Sequence, residues 1–168
     1  YVVFGKTSST GVNLSAVAAG SSTDGFVING QVASDHSGSS VSAAGDVNGD
    51  GLADLIVGAP DNSATAGVGA GRSYVVFGKS ANRTEINLSA LTTGTSTEGF
   101  VINGQCAGDR SGFSVSSAGD VNGDGLADLI VGSPQTSSFA GGYSVILGGT
   151  QWVTSAVSGS GAVTGTSA

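Results

Sequence analysis

Gly45-Asp-Val-Asn-Gly-Asp-Gly-Leu-Ala-Asp-Leu-Ile-Val-Gly-Ala-Pro60 returns almost unchanged as Gly119-Asp-Val-Asn-Gly-Asp-Gly-Leu-Ala-Asp-Leu-Ile-Val-Gly-Ser-Pro134. Each copy divides into a loop and a strand. Asp46, Asn48 and Asp50 stand at alternate positions, so a tightly curled backbone can aim three short oxygen-bearing side chains inward. Gly49 and Gly51 permit the left-handed turns this needs. The carbonyl of Leu52 falls at the seventh position and Asp54 supplies a carboxylate at the ninth. Asp120, Asn122, Asp124, Leu126 and Asp128 repeat the set. Hard oxygen donors without His or Cys suit Ca²⁺ better than zinc or copper, so the sequence predicts two Ca²⁺ sites.

An EF-hand begins the same way, but its loop closes on a bidentate Glu at the twelfth position and lies between helices. Here the twelfth position is Val57 or Val131. The residues after Asp54, Leu-Ile-Val-Gly-Ala-Pro60, read as a short buried strand closed by proline. Paired dockerin-type loops fail on the same ground, and the Ca²⁺-binding nonapeptide of toxin repeats is absent.

Self-comparison sets the architecture. Phe26-Val-Ile-Asn-Gly30 and Asp46 recur 74 residues later, and Tyr1-Val-Val-Phe-Gly-Lys6 recurs 73 later as Tyr74–Lys79, with a worn third copy at Tyr143–Gly148. A period above seventy filled with short strands suits a propeller blade carrying one long connection. Four strands are predicted per blade. Ser37–Ala44 and Ser111–Ala118 enter the loops, and Ala53–Gly58 and Ala127–Gly132 leave them. Arg72–Phe77 is the third strand and Gly99–Asn103 the fourth. Asn13–Val17 and Asn87–Leu91 read as single helical turns. Leu-Ile-Val and Tyr-Val-Val-Phe are apolar on both faces, as sheets sandwiched between sheets require.

The chain has 168 residues, 39% of them apolar, and 30 glycines, well above the roughly 7% average. The fold class predicted is all-β: antiparallel four-stranded blades, about two and a third of them. Residues 1–36 end one blade, 37–110 form a complete blade, 111–149 begin a second, and 150–168 are a Gly/Ser/Thr-rich linker or a strand lent to a neighbour. Seven blades at this period need roughly 500 residues. The expectation is therefore a piece of a longer array, or a chain completed by other copies of itself in a ring or fibre. Methionine is missing altogether, which points to a processed product or an excerpt.

Net charge is −7, with six of the twelve acidic residues in the two loops. Five scattered basic residues exclude a nucleic-acid stripe, and no apolar run approaches the roughly 18 residues of a membrane span. Cys106 is alone, so it reads as a small core residue or a free thiol. Asp35-His36-Ser37 holds the residue types of a catalytic triad, but sequence neighbours rarely converge, and a polar loop is the expectation. Lys6 and Lys79 are expected to end their strands in solvent, and Tyr1, Tyr74 and Tyr143 to pack in the core or rim. No nucleophile and base pair, phosphate loop or zinc cluster supports an enzyme.

Gly-Asp-Val-Asn-Gly-Asp-Gly-Leu-Ala-Asp-Leu followed by Val-Gly-Ala-Pro resembles the FG-GAP repeat, the blade unit of the integrin α-subunit β-propeller, also common in large secreted or surface bacterial proteins. The resemblance covers roughly Tyr1 to Gly149. It departs where Phe-Gly is Ser37-Gly38 and Ser111-Gly112, with Phe113 one place late, and where Gly-Ala-Pro becomes Gly132-Ser-Pro134. It implies an integrin α-like propeller with Asp46, Asn48, Asp50, Leu52 and Asp54 as Ca²⁺ ligands, and Asp120, Asn122, Asp124, Leu126 and Asp128 likewise. It also implies a part of a larger, extracellular or surface, bacterial protein. Two functions follow as expectations. One is a non-enzymatic adhesion or assembly module with a protein or glycan ligand and Ca²⁺ as a structural staple. The other is a non-catalytic part of a larger secreted enzyme or toxin-like protein.

Overall fold

The computed structural model describes residues 1–64, 66–80, 83–93, 96–135 and 141–149. In chain order its elements are β1 (Val2–Val3), α1 (Leu14–Ala18), β2 (Gly25–Asn29), β3 (Ser40–Gly45), β4 (Asp54–Ala59), β5 (Arg72–Val76), β6 (Glu85–Asn87), α2 (Leu88–Leu91), β7 (Gly99–Asn103), β8 (Ser114–Gly119), β9 (Asp128–Ser133) and β10 (Gly142–Ile146). The 150–168 tail lies outside the described residues.

Three sheets form, ordered β1-β2-β6, β3-β4-β5-β7 and β10-β9-β8. The middle sheet is the predicted four-stranded antiparallel blade, with Leu55 opposite Val76 and Val75 opposite Phe100. The flanking sheets are partial blades. The entering strands begin three residues later than the sequence suggested, at Ser40 and Ser114. The residues just before them are spent otherwise: Ser111 forms an isolated bridge with Gly71 of the preceding blade, and Gly38 N–H donates within its own blade to the Gly58 carbonyl at 2.9 Å.

Alternation along β4 explains why the central strands are apolar on both faces. Ile56 turns to one cluster with Ala44, Val47, Val75, Leu129, Val131 and Ile146. Val57 turns to the other, with Tyr74, Val76, Ile86, Leu88 and Leu91. Both clusters lie between sheets, so the core is blade packed on blade.

Blades approach as closely as glycine allows. A Cβ on Gly58 would lie 2.0 Å from the Gly112 carbonyl oxygen and 2.2 Å from Ser40 Oγ. Ser40 Oγ itself donates to that carbonyl at 2.7 Å. The Gly-Ala-Pro glycine of one repeat therefore meets the glycine that opens the next.

Some expectations are corrected. Of the two readings of Cys106, a small core residue or a free thiol, the free thiol holds, and it is exposed. Tyr74 is fully buried, but Tyr1 and Tyr143 are 60% and 75% exposed, because the sheets around them are incomplete. The lysines are ion-paired: Lys6 with Asp24 at 3.5 Å, and Lys79 with Glu98, which also takes Arg83 at 2.8 Å. One strand was not foreseen. β6 lies in the connection from β5 to β7 and pairs in parallel with β2 of the preceding sheet.

Candidate metal centre

Each loop joins the first and second strands of its sheet, β3 to β4 and β8 to β9, so β-structure fixes both of its ends. Gly49 and Gly51 have φ of 78° and 83°, and their twins Gly123 and Gly125 have 79° and 89°. With the chain curled this way, side-chain oxygens meet backbone N–H groups. Asp46 Oδ1 accepts from Gly49 at 2.7 Å and from Asp50 at 3.1 Å, and its Oδ2 accepts from Gly51 at 2.8 Å. Asn48 Oδ1 accepts from the Asp50 N–H, and its amide donates to Asp50 Oδ2. Asp50 Oδ1 accepts from Leu52 N–H at 2.8 Å. The second loop repeats every one of these bonds. Asp120 takes Gly123, Asp124 and Gly125, Asn122 takes and gives to Asp124, and Asp124 takes Leu126.

The ninth-position acids behave differently. Asp54 and Asp128 are fully buried. Asp54 Oδ2 accepts from Val47 N–H at 2.9 Å and Oδ1 from Gly78 N–H at 2.8 Å. Asp128 does the same with Val121 at 2.8 Å and Gly148 at 2.7 Å. One carboxylate thus ties the loop to the residue just beyond the third strand. The sequence signal for that partner was present as the glycine recurring after each Tyr-starting strand, at Gly5, Gly78 and Gly148, but its role there was not foreseen.

Burial pushes the Asp54 carboxyl above the usual carboxylate range; the N–H groups of Gly78 and Val47 pull it down, and the charges of Asp50 and Asp46 push it up again. The Asp120 carboxyl lies below its usual range, held there first by the Gly125 N–H and then by those of Gly123, Asp124 and Asn122. Among the described residues no group of three or more His, Cys, Asp or Glu side chains is gathered closely enough to hold a metal ion. The acids are folded onto backbone amides.

Identical sequences do not give identical surroundings. The first loop is covered by the second repeat: Ala127 N–H donates to the Asp46 carbonyl, and Gly149 N–H to that of Val47, both at 2.9 Å. Val47 is fully buried, whereas Val121 in the second loop is 57% exposed.

The Asp35-His36-Ser37 run is not arranged as a triad. Asp35 binds Ser37 directly, with Oδ1 accepting from its N–H at 2.9 Å and Oδ2 from its hydroxyl at 3.0 Å. His36 turns away, its Nδ1 2.6 Å from Asp61 Oδ2. Its repeat twin Arg110 reaches the same Asp61. Asp61 was not anticipated, because its twin position in the second repeat is Gln135 and the pattern therefore does not repeat.

Comparison with known proteins agrees with this geometry. Residues 37–76 and 111–147 match the FG-GAP repeat. Integrin alpha-PS5 of Drosophila melanogaster is 35% identical over 121 residues, covering 72% of this chain and 10% of the relative. Phosphatidylinositol-glycan-specific phospholipase D is 37% identical over 98 residues in Mus musculus, covering 58% of this chain and 11% of that protein. The Bos taurus protein of the same name is 37% identical over 95 residues, covering 55% and 10%. The chain spans about a tenth of the length of these curated relatives. Packed antiparallel sheets, a loop between first and second strands, and the repeat match together identify a chain that carries two FG-GAP repeats of propeller type.

Proposed function

We propose that this chain is a Ca²⁺-stapled, non-enzymatic propeller module of a larger extracellular or surface protein, acting in adhesion, ligand binding or assembly. The observation that carries the reading is the duplicated loop, in which the short oxygen-bearing side chains of Asp46, Asn48 and Asp50 curl onto one turn beside the buried Asp54 carboxylate. Hard oxygen donors of one sign in a curled loop fit a hard divalent cation. Asp46, Asn48, Asp50, the Leu52 carbonyl and Asp54 would hold one ion, and Asp120, Asn122, Asp124, the Leu126 carbonyl and Asp128 the other. The ion supplies charge neutralisation. The residues supply the link between strands, since Asp54 and Asp128 already join loop to third strand. Two ions would bring the net charge from −7 to about −3.

Incomplete outer sheets agree with further blades of the same chain, or other copies, as partners. A protein or glycan ligand on the assembled face is the accompanying reading. None of the described helices is long and apolar enough to cross a membrane. The likeness to the phospholipase D relatives favours a second reading, an accessory part of a larger secreted enzyme.

Thermal melting with Ca²⁺ and with excess chelator tests the staple: a lower melting temperature in chelator is expected, and identical melting overturns it. A protein and glycan binding array beside a hydrolase panel separates the two readings. Turnover by this chain alone contradicts the non-enzymatic one.

A further inference from the structure

Four of the five basic side chains are spent on carboxylates: Lys6 on Asp24, Lys79 and Arg83 on Glu98, and Arg110 on Asp61. Arg72 has no carboxylate partner among the described residues. Its half-buried guanidinium donates instead to two neutral amide oxygens, from Nε to Asn103 Oδ1 at 2.8 Å and from Nη1 to Gln31 Oε1 at 2.6 Å. Nη2 bonds to none of the described residues.

Hydrogen-bond chemistry then fixes the neighbours. A guanidinium can only donate, so Gln31 presents its oxygen to Arg72 and turns its amide nitrogen away. The same oxygen takes the hydroxyl of the fully buried Tyr74 at 2.6 Å and Asn62 Nδ2 at 3.3 Å. Asn62, with its nitrogen on this side, turns Oδ1 away. Asn62 is only 2% exposed, yet this oxygen has no partner among the described residues, which burial makes costly unless something else bonds it.

These groups surround one cleft of about 440 Å³, lined by Gln31, Asp35, Asp61, Asn62, Ser63 and Arg72, within the roughly 300–1,000 Å³ of ligand sites. Its carboxylates are already engaged. Asp35 accepts from the N–H groups of Gln31, Val32 and Ser37 and from the Ser37 hydroxyl, and Asp61 faces His36 and Arg110. One positive charge, N–H donors on Arg72 and Gln31, an acceptor on Asn62 and the Ser63 hydroxyl are left unmatched. Nor does the repeated scaffold need Arg72 and Tyr74. They stand opposite Ala59 and Val57, whereas opposite the twins Ser133 and Val131 stand Gly142 and Ser144, and the same strand pairing forms there without them.

We infer that this cleft binds an acidic saccharide through the carboxylate of a uronic acid residue. Arg72 Nη2 and Gln31 Nε2 donate to the carboxylate, and Asn62 Oδ1 and the Ser63 hydroxyl meet ring hydroxyls. A single negative charge fits, because Asp35 and Asp61 stand in the same wall and oppose a doubly charged phosphate. An aspartyl side chain of a protein brings the same carboxylate, but it has no hydroxyls for the remaining donor and acceptor groups. The site deepens the ligand-binding part of the function proposed above and rests on it. It lies beyond the end of β4, opposite the loop that precedes that strand, so it is separate from the Ca²⁺ ligands.

Titration calorimetry of the intact chain in Ca²⁺ tests this, with methyl glycosides of galacturonate and glucuronate beside those of galactose and glucose, N-acetyl-aspartyl amide and inorganic phosphate. A uronate is expected to bind about tenfold or more tighter than its neutral sugar. Arg72→Gln should abolish that preference. Ser63→Asp, at an exposed side chain outside the hydrogen-bond network, should weaken uronate binding by about tenfold with unchanged melting, and it keeps the test decisive if Arg72→Gln does not fold. Uronates bound no better than neutral sugars, or a preference that survives both variants, overturn the inference. Tighter binding of the aspartyl amide or of phosphate also overturns it, and would assign the cleft to an acidic peptide or a phosphate group. Loss of the preference with chelator-sensitive melting intact removes this site alone, and a retained preference with chelator-insensitive melting removes the Ca²⁺ staple alone.

Discussion

Arg110, the residue just before the second repeat match, grips Asp61 just past the end of β4, its Nε and Nη2 2.9 and 2.8 Å from the one oxygen Oδ1. The other oxygen, Oδ2, faces His36 Nδ1 at 2.6 Å. The two residues at equivalent repeat positions thus converge on one carboxylate, and both hold a positive φ to do so, 52° for His36 and 56° for Arg110. Arg110 and Asp61 are each about a third exposed (34% and 31%), so the junction is screened. Asp61→Asn is expected to destabilise by about 0.5–1 kcal/mol in urea unfolding, with a smaller loss at high salt. A salt-independent loss would mean that packing, not charge, holds this junction.

Asp35 gives the fold an acid limit. It is almost fully buried, which by itself raises a carboxyl, but N–H groups of Ser37, Val32 and Gln31 and the Ser37 hydroxyl outweigh this and hold it below its usual value. A depressed folded value means that its stabilisation is complete above the unfolded carboxyl pKa of about 3.9 and is lost as pH falls through the folded value. Asp35→Asn should cost about 2 kcal/mol at pH 7. The gap between wild type and variant in urea midpoint should close below about pH 4. A gap constant down to pH 3 would contradict the assignment.

Gly58→Ala tests the contact between blades. Its Cβ would meet backbone and not a movable side chain tip at Gly112, so the sheets must part. A loss of about 2–4 kcal/mol is expected. Gly51→Ala, where a Cβ meets nothing within 4 Å but φ is 83°, should cost less, about 1 kcal/mol. The reverse order would show that loop conformation outweighs blade contact.

The blade pattern was legible because turn glycines, a prolyl stop and double-faced apolar runs recur with the period. Ile56 and Val57 could be assigned to opposite cores before their partners were known. β6 was illegible because Glu85-Ile86-Asn87 is too short to show a period of two, and its partner β2 lies far back in the sequence. The unequal cover of the two loops was likewise hidden. Val47 and Val121 sit in identical sequence, and only the sheet that follows the first loop distinguishes them.

That inequality yields a prediction for the loops. Calorimetric titration with Ca²⁺ should resolve a tighter site at 46–54, held by the Ala127 and Gly149 N–H groups on its backbone, and a weaker one at 120–128. Equal affinities would show that this cover does not pre-form the first loop.

Asp54 separates staple from scaffold. Asn at this position can accept from only one of Val47 and Gly78 and turns an amide N–H₂ toward the other buried N–H. Asp54→Asn should therefore lose about 2–3 kcal/mol even in chelator, while Asp50→Asn should lose stability only in Ca²⁺. If both variants match wild type in chelator, the buried tie is not structural.

The most direct measurement is the native mass of the intact chain prepared in Ca²⁺, with and without chelator. Two Ca²⁺ per chain are predicted, falling to one in Asp50→Ala and in Asp124→Ala and to none in chelator. A metal-free mass in millimolar Ca²⁺, or two ions retained in both variants, would contradict the assignment of one ion to each of the duplicated loops.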